Sequence, residues 1–376
     1  MNRFTWTFCL VRCVRSSLRE SVRDFQESSL AICVLLIGIL TSTSSPANDQ
    51  QEAQTPDAMK PYKMQIRNTD VTFEMVPIPG GEFIMGSPDR DNAKQHGEQP
   101  QHKVKIEPFW MGKYEVTWDE FELWSLLMES RLRKYKKAAS SPLEKAADAI
   151  TKPTPPYTDM SFGMGKDERQ PAISLTQHAA KKYCEWLNAK TGYYHRLPTE
   201  AEWEYACRAG TSTAYSFGDD LRDLDQYAWH AGNSGGKYHS TGQKKPNPWG
   251  LYDMHGNAAE WVQDKFDPEF YNKFSSDSVA TFPLNIADVE YPRATRGGAW
   301  NFPADQLRSA ARQGSHPDWK EQDPNLPKSA WYMTDAQFIG LRIIRPFRVP
   351  NVEERQNLHL DAVLPTDAFE RITLEE

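Results

Sequence analysis

Arg196-Leu-Pro-Thr-Glu-Ala-Glu-Trp-Glu-Tyr-Ala-Cys-Arg-Ala-Gly210 is the stretch on which the reading of this chain turns. Thr199 and Glu202 have the spacing of a capping box. The threonine hydroxyl and the glutamate carboxylate then satisfy amides that the first helical turn leaves free. Trp203, Ala206 and Cys207 fall on one side of the helix that follows, and Gly210 supplies a residue that tolerates a left-handed stop. The spacing therefore predicts a short helix with an aromatic inner face.

The same signal predicts two more helices upstream. Thr117 with Glu120 precedes Phe121, Trp124 and Met128 on one face. Ser174 with Gln177 precedes Ala180, Cys184 and Leu187, with Tyr183 beside them and Gly192 closing the helix. Before these, Val71, Phe73 and Met75 alternate with polar neighbours as in a half-buried strand. Pro79, Gly80 and Gly81 turn the chain, and Phe83, Ile84 and Met85 begin a second strand. Arg131, Arg133, Lys134, Lys136 and Lys137 read as one solvated helix face. Residues 138–170, rich in Lys, Pro, Ser and Gly, read as an inserted excursion, and 313–336 as another. Beyond Gly210 the pattern is short strands and loops, with no solenoid period.

Composition points the same way. Only 39% of the 376 residues are hydrophobic, yet there are 12 Trp, 15 Tyr and 17 Phe. Rings fill a core that is poor in aliphatic residues, which favours an irregular, loop-rich domain over a Leu-rich bundle. The formal net charge of −7 and the lack of a basic stripe argue against nucleic acid as a partner.

Residues 1–47 read as an export segment. Arg3, Arg12, Arg15, Arg19 and Arg23 precede an apolar run, Leu30 to Leu40, that is too short to span a bilayer comfortably, and Ser44, Ser45, Pro46 and Ala47 supply small residues for cleavage. The expected location is outside the cytoplasm, whether periplasm, envelope or extracellular space, with membrane contact only if the segment is retained as an anchor. Residues 48–70 read as a linker, 71–349 as the globular domain, and 350–376 as an acidic tail that wraps the surface or is disordered. Cys9, Cys13 and Cys33 lie in the export segment. Cys184 and Cys207 remain, which is neither a disulfide framework nor a zinc site. They read as buried thiols, with pairing to each other as the alternative.

As a string, the opening stretch resembles the RLPTEAEWEYA signature of the formylglycine-generating (sulfatase-modifying factor) family. Further segments agree in the family's order: Val76-Pro-Ile-Pro-Gly-Gly-Glu-Phe-Ile-Met-Gly-Ser87, Tyr114-Glu-Val-Thr117, Trp249-Gly-Leu-Tyr-Asp-Met-His-Gly-Asn-Ala-Ala-Glu-Trp261, Arg296-Gly-Gly-Ala-Trp300, Arg308-Ser-Ala-Ala-Arg312 and Gly340-Leu-Arg342. The resemblance implies an α+β, C-type-lectin-like fold with little regular secondary structure. Members of the catalytic type oxidise a sulfatase cysteine to formylglycine with oxygen, copper and a pair of active-site cysteines. Those cysteines would lie between Gly298 and Arg308, where this chain has Ala299-Trp-Asn-Phe-Pro-Ala-Asp-Gln-Leu307 and none. Soft thiolate ligands suit Cu(I), and nothing in that stretch replaces them, so copper is not expected and no catalytic residue is carried over. The family's disulfide partners of Cys184 and Cys207 fall at Ile343 and Ser309.

The resemblance also implies calcium held by Asp253, the carbonyls of Gly256 and Ala258, and Glu260, oxygen donors that suit a hard cation. A second family calcium site would begin at Asn233 and Ser234, but its later acidic ligand has no match in 237–243. His230, His239 and His255 lie near the expected cleft without iron-site spacing. Trp110, Trp186, Trp203, Trp261 and Trp300 read as core. The function expected is a non-oxidase family domain that binds a peptide, a glycan or a secreted partner protein, or assists assembly of another secreted enzyme. The alternative is a formylglycine-generating oxidoreductase that uses a different site.

Overall fold

The computed structural model describes residues 53–88, 97–167, 169–275, 277–324 and 328–357; the expected export segment lies outside the described residues. The N-terminal half contributes β1 (Tyr62–Gln65), β2 (Thr72–Ile78), β3 (Gly81–Met85), β4 (His102–Ile106) and β5 (Phe109–Gly112). Helices α1 (Trp118–Ser125), α2 (Met128–Tyr135), α3 (Pro142–Ala149), α4 (Gln177–Thr191) and α5 (Glu200–Arg208) follow. The later strands are β6 (Ala259–Lys265), β7 (Val279–Thr281), β8 (Arg293–Arg296), β9 (Gln313–Gly314), β10 (Ile339–Leu341) and β11 (Ile344–Pro346). They form three small sheets ordered β1-β2-β5-β11, β10-β6-β8-β9 and β3-β4-β7. The β10–β6 and β4–β7 pairs are parallel, and the other ladders are antiparallel.

The capping boxes at Thr117 and Thr199 form as their sequences require. The Glu202 amide donates to the Thr199 hydroxyl at 3.1 Å, and the Thr199 amide donates to the Glu202 carboxylate at 2.8 Å. The α4 start differs from expectation. Its cap is Thr176, whose hydroxyl accepts from the Ala179 amide, while Ser174 sits two residues earlier in a left-handed conformation (φ 62°). Two cap-type residues so close together leave the choice to packing, and Leu175 is drawn into the core between them. Gly192 (φ 81°) ends α4 as expected. The 138–170 excursion carries a further box, Ser141 with Glu144, at the head of α3.

The linker expected at 48–70 ends earlier than the polar composition suggests. Tyr62, Met64 and Ile66 are buried while Lys63 and Gln65 are exposed, so β1 has the two-residue period of a half-buried strand and pairs with β2. The cationic run around α2 is not all solvated either. Arg133 is buried between Glu129 (3.4 Å) and Asp148 (2.7 Å), and Lys190 of α4 reaches the same Glu129 at 2.8 Å. Within the expected tail, residues Val352–Asn357 form a short helix.

The aromatic residues fill the interior as the composition implies. Trp110, Trp186, Trp203 and Trp261 are buried, and Trp300 is half-buried. One core lies under α1 and α4, around Phe121, Trp124, Tyr183 and Trp261. A second lies around Trp203, Phe109, Met254 and Tyr271. Between the cores runs the Trp249–Ala258 loop. It needs glycine at 256, where a Cβ would sit 2.2 Å from the Trp229 carbonyl oxygen. Backbone has to shift to admit any side chain there. Gly256→Ala is therefore expected to lower unfolding stability by about 3 kcal/mol in a denaturant titration. A loss below the error of the titration would show the loop to be adaptable.

Candidate functional site

The chemistry of the cleft expected from the family begins with α5, of which every residue is buried. Glu200, Glu202 and Glu204 project from it into a dry interior, where an unpaired carboxylate would be costly. Each is met by arginine. Arg196 binds Glu202 through two bonds of 2.7 and 2.8 Å. Arg312 binds Glu200 at 2.6 and 2.9 Å, and Arg296 bridges Glu200 (2.9 Å) to Glu204 (3.1 Å). Burial alone would raise the Glu200 pKa, but Arg312 and Arg296 outweigh it and hold the carboxyl below its usual range.

A cleft of about 170 Å³ opens beside this network at Gly297, Gly298 and Asp305. Its remaining arginine is also paired: Arg308 forks onto Glu98 with bonds of 2.6 and 2.8 Å. Ala299 is fully buried, and the Gly297–Gly298 backbone packs so closely on Leu307 that a Cβ at Gly298 would lie 2.4 Å from the leucine side chain. Among the described residues, no thiol lines this cleft. Cys184 and Cys207 are free and buried in different cores, and burial raises both thiols, Cys207 to about 12 with slight relief from the Ser309 hydroxyl beside it. A thiol held protonated is a poor nucleophile and a poor ligand.

The calcium candidates divide. Both oxygens of Glu260 are taken: Arg342 donates to them at 2.7, 2.9 and 3.1 Å, and the Trp203 indole donates to Oε2 at 2.7 Å. Asp253 is different. Its Oδ2 accepts the Gly242 amide at 2.6 Å, while its Oδ1 is buried without a partner. Two further buried oxygens in this neighbourhood also lack partners, Glu115 Oε2 and Thr241 Oγ1. Glu115 uses its other oxygen to accept from the Ala258 amide (3.1 Å) and the Asn257 side chain (3.2 Å), so it is tied to the same loop. Burial pushes Asp253 up to about 6, and raises Glu115 through burial and the charge of Asp253. Orphaned hard oxygens of this kind fit a calcium ion, with Glu115 and Thr241 as the donors that the sequence did not single out and Glu260 excluded by its own partners. Gly256 and Ala258 lie on the same loop and would serve only through carbonyl oxygens.

Asn233 and Ser234 are brought together but are occupied in their own turn. Asn233 Oδ1 accepts the His230 amide at 2.9 Å, and Ser234 Oγ accepts the Gly236 amide at 3.2 Å. The three histidines stay apart in function. His230 meets Asp225 at 2.8 Å, His239 stacks on Trp229, and His255 donates from Nδ1 to the Leu307 carbonyl while Nε2 accepts the Ser216 amide. Among the described residues, no group of three His, Cys, Asp or Glu side chains converges as a metal centre.

The Arg342–Glu260 pair yields a direct test. Glu260→Met is expected to cost about 3–5 kcal/mol in urea unfolding, because it strands a buried guanidinium, and adding Arg342→Met is expected to recover most of that loss. Additive losses in the two variants would show that the pair is not coupled.

The chain matches the family model of the sulfatase-modifying factor enzyme 1-like domain over residues 62–324. It is 31% identical over 256 residues to the serine/threonine-protein kinase pkn1 of Chlamydia pneumoniae, covering 68% of this chain and 37% of the kinase. It is 30% identical over 224 residues to the formylglycine-generating enzyme of Bos taurus, covering 51% of this chain and 58% of that enzyme. The inactive C-alpha-formylglycine-generating enzyme 2 of Bos taurus is 25% identical over 291 residues, with 66% of this chain and 84% of that protein covered. The chain thus spans little more than a third of the kinase and less than two thirds of the bovine enzyme. Among solved structures, PvdO from Pseudomonas aeruginosa superposes with a TM-score of 0.54 at 26% identity, covering 77% of this chain and 99% of that one. With the family model and the α5 signature both in place, the chain belongs to the sulfatase-modifying factor family.

Proposed function

We propose that this protein is a non-oxidase member of its family, an exported binding or accessory module for a peptide, a glycan or a partner protein. The observation that carries this reading is the cleft itself. Where the family's oxidases hold a thiol pair, this chain has buried Ala299 and a short turn, and every arginine of the cleft is neutralised by glutamate. Such a surface can recognise a ligand, but it offers no soft ligand for copper and no activated nucleophile. A relative that the match covers to 84% carries the word inactive in its name, which is consistent with this reading.

The test is incubation with copper, oxygen and a Cys-x-Pro-x-Arg peptide. Recovery of unchanged cysteine by mass spectrometry is the expected result; formylglycine in the product would overturn the proposal and restore the oxidoreductase reading.

Calcium belongs to the same proposal as a structural ion, held by Asp253, Glu115 and Thr241 together with loop carbonyls. It would keep both carboxylates ionised in a place where burial disfavours their charge. Chelation is expected to lower the melting temperature by several degrees, and Asp253→Asn to remove that response. A melting temperature indifferent to chelator, in protein shown by elemental analysis to contain no calcium before treatment, would end the calcium reading.

A further inference from the structure

One cavity gathers cationic side chains on its wall. It measures about 410 Å³ and opens at the N-terminus of α4, beside Thr176, Gln177 and His178. Lys181, Arg293, Lys320 and Lys328 line it, against Glu290 as the only carboxylate in the lining. The cavity shares no lining residue with the cleft beside α5.

Lys320 is the decisive group. Its side chain is only 7% exposed, and the carboxylate it meets, Glu290 at 3.3 Å, is 71% exposed. Burying a charged side chain is costly unless it is closely paired, and a solvated carboxylate is a weak, screened partner. Arg293 is aimed rather than loose. It bonds Gln177 through Nη1 and the Glu290 carbonyl through Nε at 3.2 Å, which fixes its guanidinium at the cavity wall. The first turn of α4 contains no acidic residue, so no carboxylate of that turn offsets the positive end of a 15-residue helix beside the cavity.

We infer that this cavity is a binding site for a small ligand bearing two or more tetrahedral oxyanions, as phosphate or sulfate esters. The volume admits a ligand of disaccharide size but not a folded domain, and lies within the range of small-molecule sites. Lysines recognise such groups as point charges, while the fixed guanidinium of Arg293 supplies forked donors for one of them.

Isothermal titration of the full-length protein at two salt concentrations tests this with three probes: pyrophosphate, a disulfated disaccharide, and the same disaccharide without sulfate. Binding of pyrophosphate or the sulfated sugar, weakening as salt rises, is expected, and the preference between them identifies the ester. Lys181→Gln and Lys328→Gln act at positions that are partly or fully exposed, so the fold should survive them, and each is expected to weaken binding about fivefold. Lys320→Met probes the buried charge. Because that variant can alter folding, its melting temperature is read alongside its affinity. The inference fails if neither anionic probe binds to folded wild-type protein, if the unsulfated sugar binds as tightly as the sulfated one, or if the Lys181 and Lys328 variants bind like wild type. None of these outcomes touches the oxidase assay, so this inference and the proposed loss of catalysis stand or fall separately.

Discussion

The structure depends on the pairing of buried carboxylates with arginines brought from distant parts of the chain. α5 is a helix without a solvent face, and three of its nine residues are glutamates. Glu202 is neutralised locally by Arg196 and Glu204 by Arg208, but Glu200 waits for Arg296 and Arg312, about a hundred residues away in sequence, and Arg296 also reaches Glu204. Below the helix, Trp203 holds Glu260, and Glu260 holds Arg342. The same Arg342 donates to the carbonyls of Gly112 and Tyr252, so one guanidinium ties β5, the central loop and β6 together. Removing any one partner leaves a charge in a dry interior, a penalty of about 3–5 kcal/mol. That is a large part of the stability of an ordinary domain.

This network explains which features could be read from sequence. Local rules reached the elements that local chemistry decides: the Thr117 and Thr199 boxes, the Gly192 stop and the alternation in β2. They missed β1 because Lys63 and Gln65 disguise a strand whose inner face is only Tyr62, Met64 and Ile66. At α4 they chose Ser174 over Thr176, since both residue types cap helices and only the burial of Leu175 separates them. The fold class was legible from an ordered series of motifs, but the reason for those motifs was not. Arg296, Arg312 and Arg342 look like binding residues in a string, and only the folded chain shows their glutamates.

The site was legible to the same partial degree. Asp253 stands where the motif puts it, with a buried oxygen still lacking a partner. Glu260 lies in the same motif and has the same chemistry, yet Arg342 and Trp203 consume it. No pattern in the loop distinguishes the two, because the difference arises from residues on β10–β11 and α5. Glu115 and Thr241 went unnoticed for the converse reason. One lies in a segment that reads as the approach to α1, the other in a Gly/Lys-rich loop, and their unpartnered oxygens exist only once both are buried against the 253–258 turn.

The arrangement also accounts for how such a fold can be held together with no cysteine in the 299–307 stretch. Arg296 and Arg312, which frame the 299–307 stretch, line the cleft yet spend their guanidinium groups on Glu200 and Glu204 of α5. Ser309 lies against Cys207, and Ile343 lies in the same core as Cys184, so the positions of two family disulfides are filled by small or apolar groups that pack without a bond. It follows that the α5 signature is a statement about burial: it reports that the carboxylate–arginine network is intact, and it carries no information about whether the cleft above it oxidises anything.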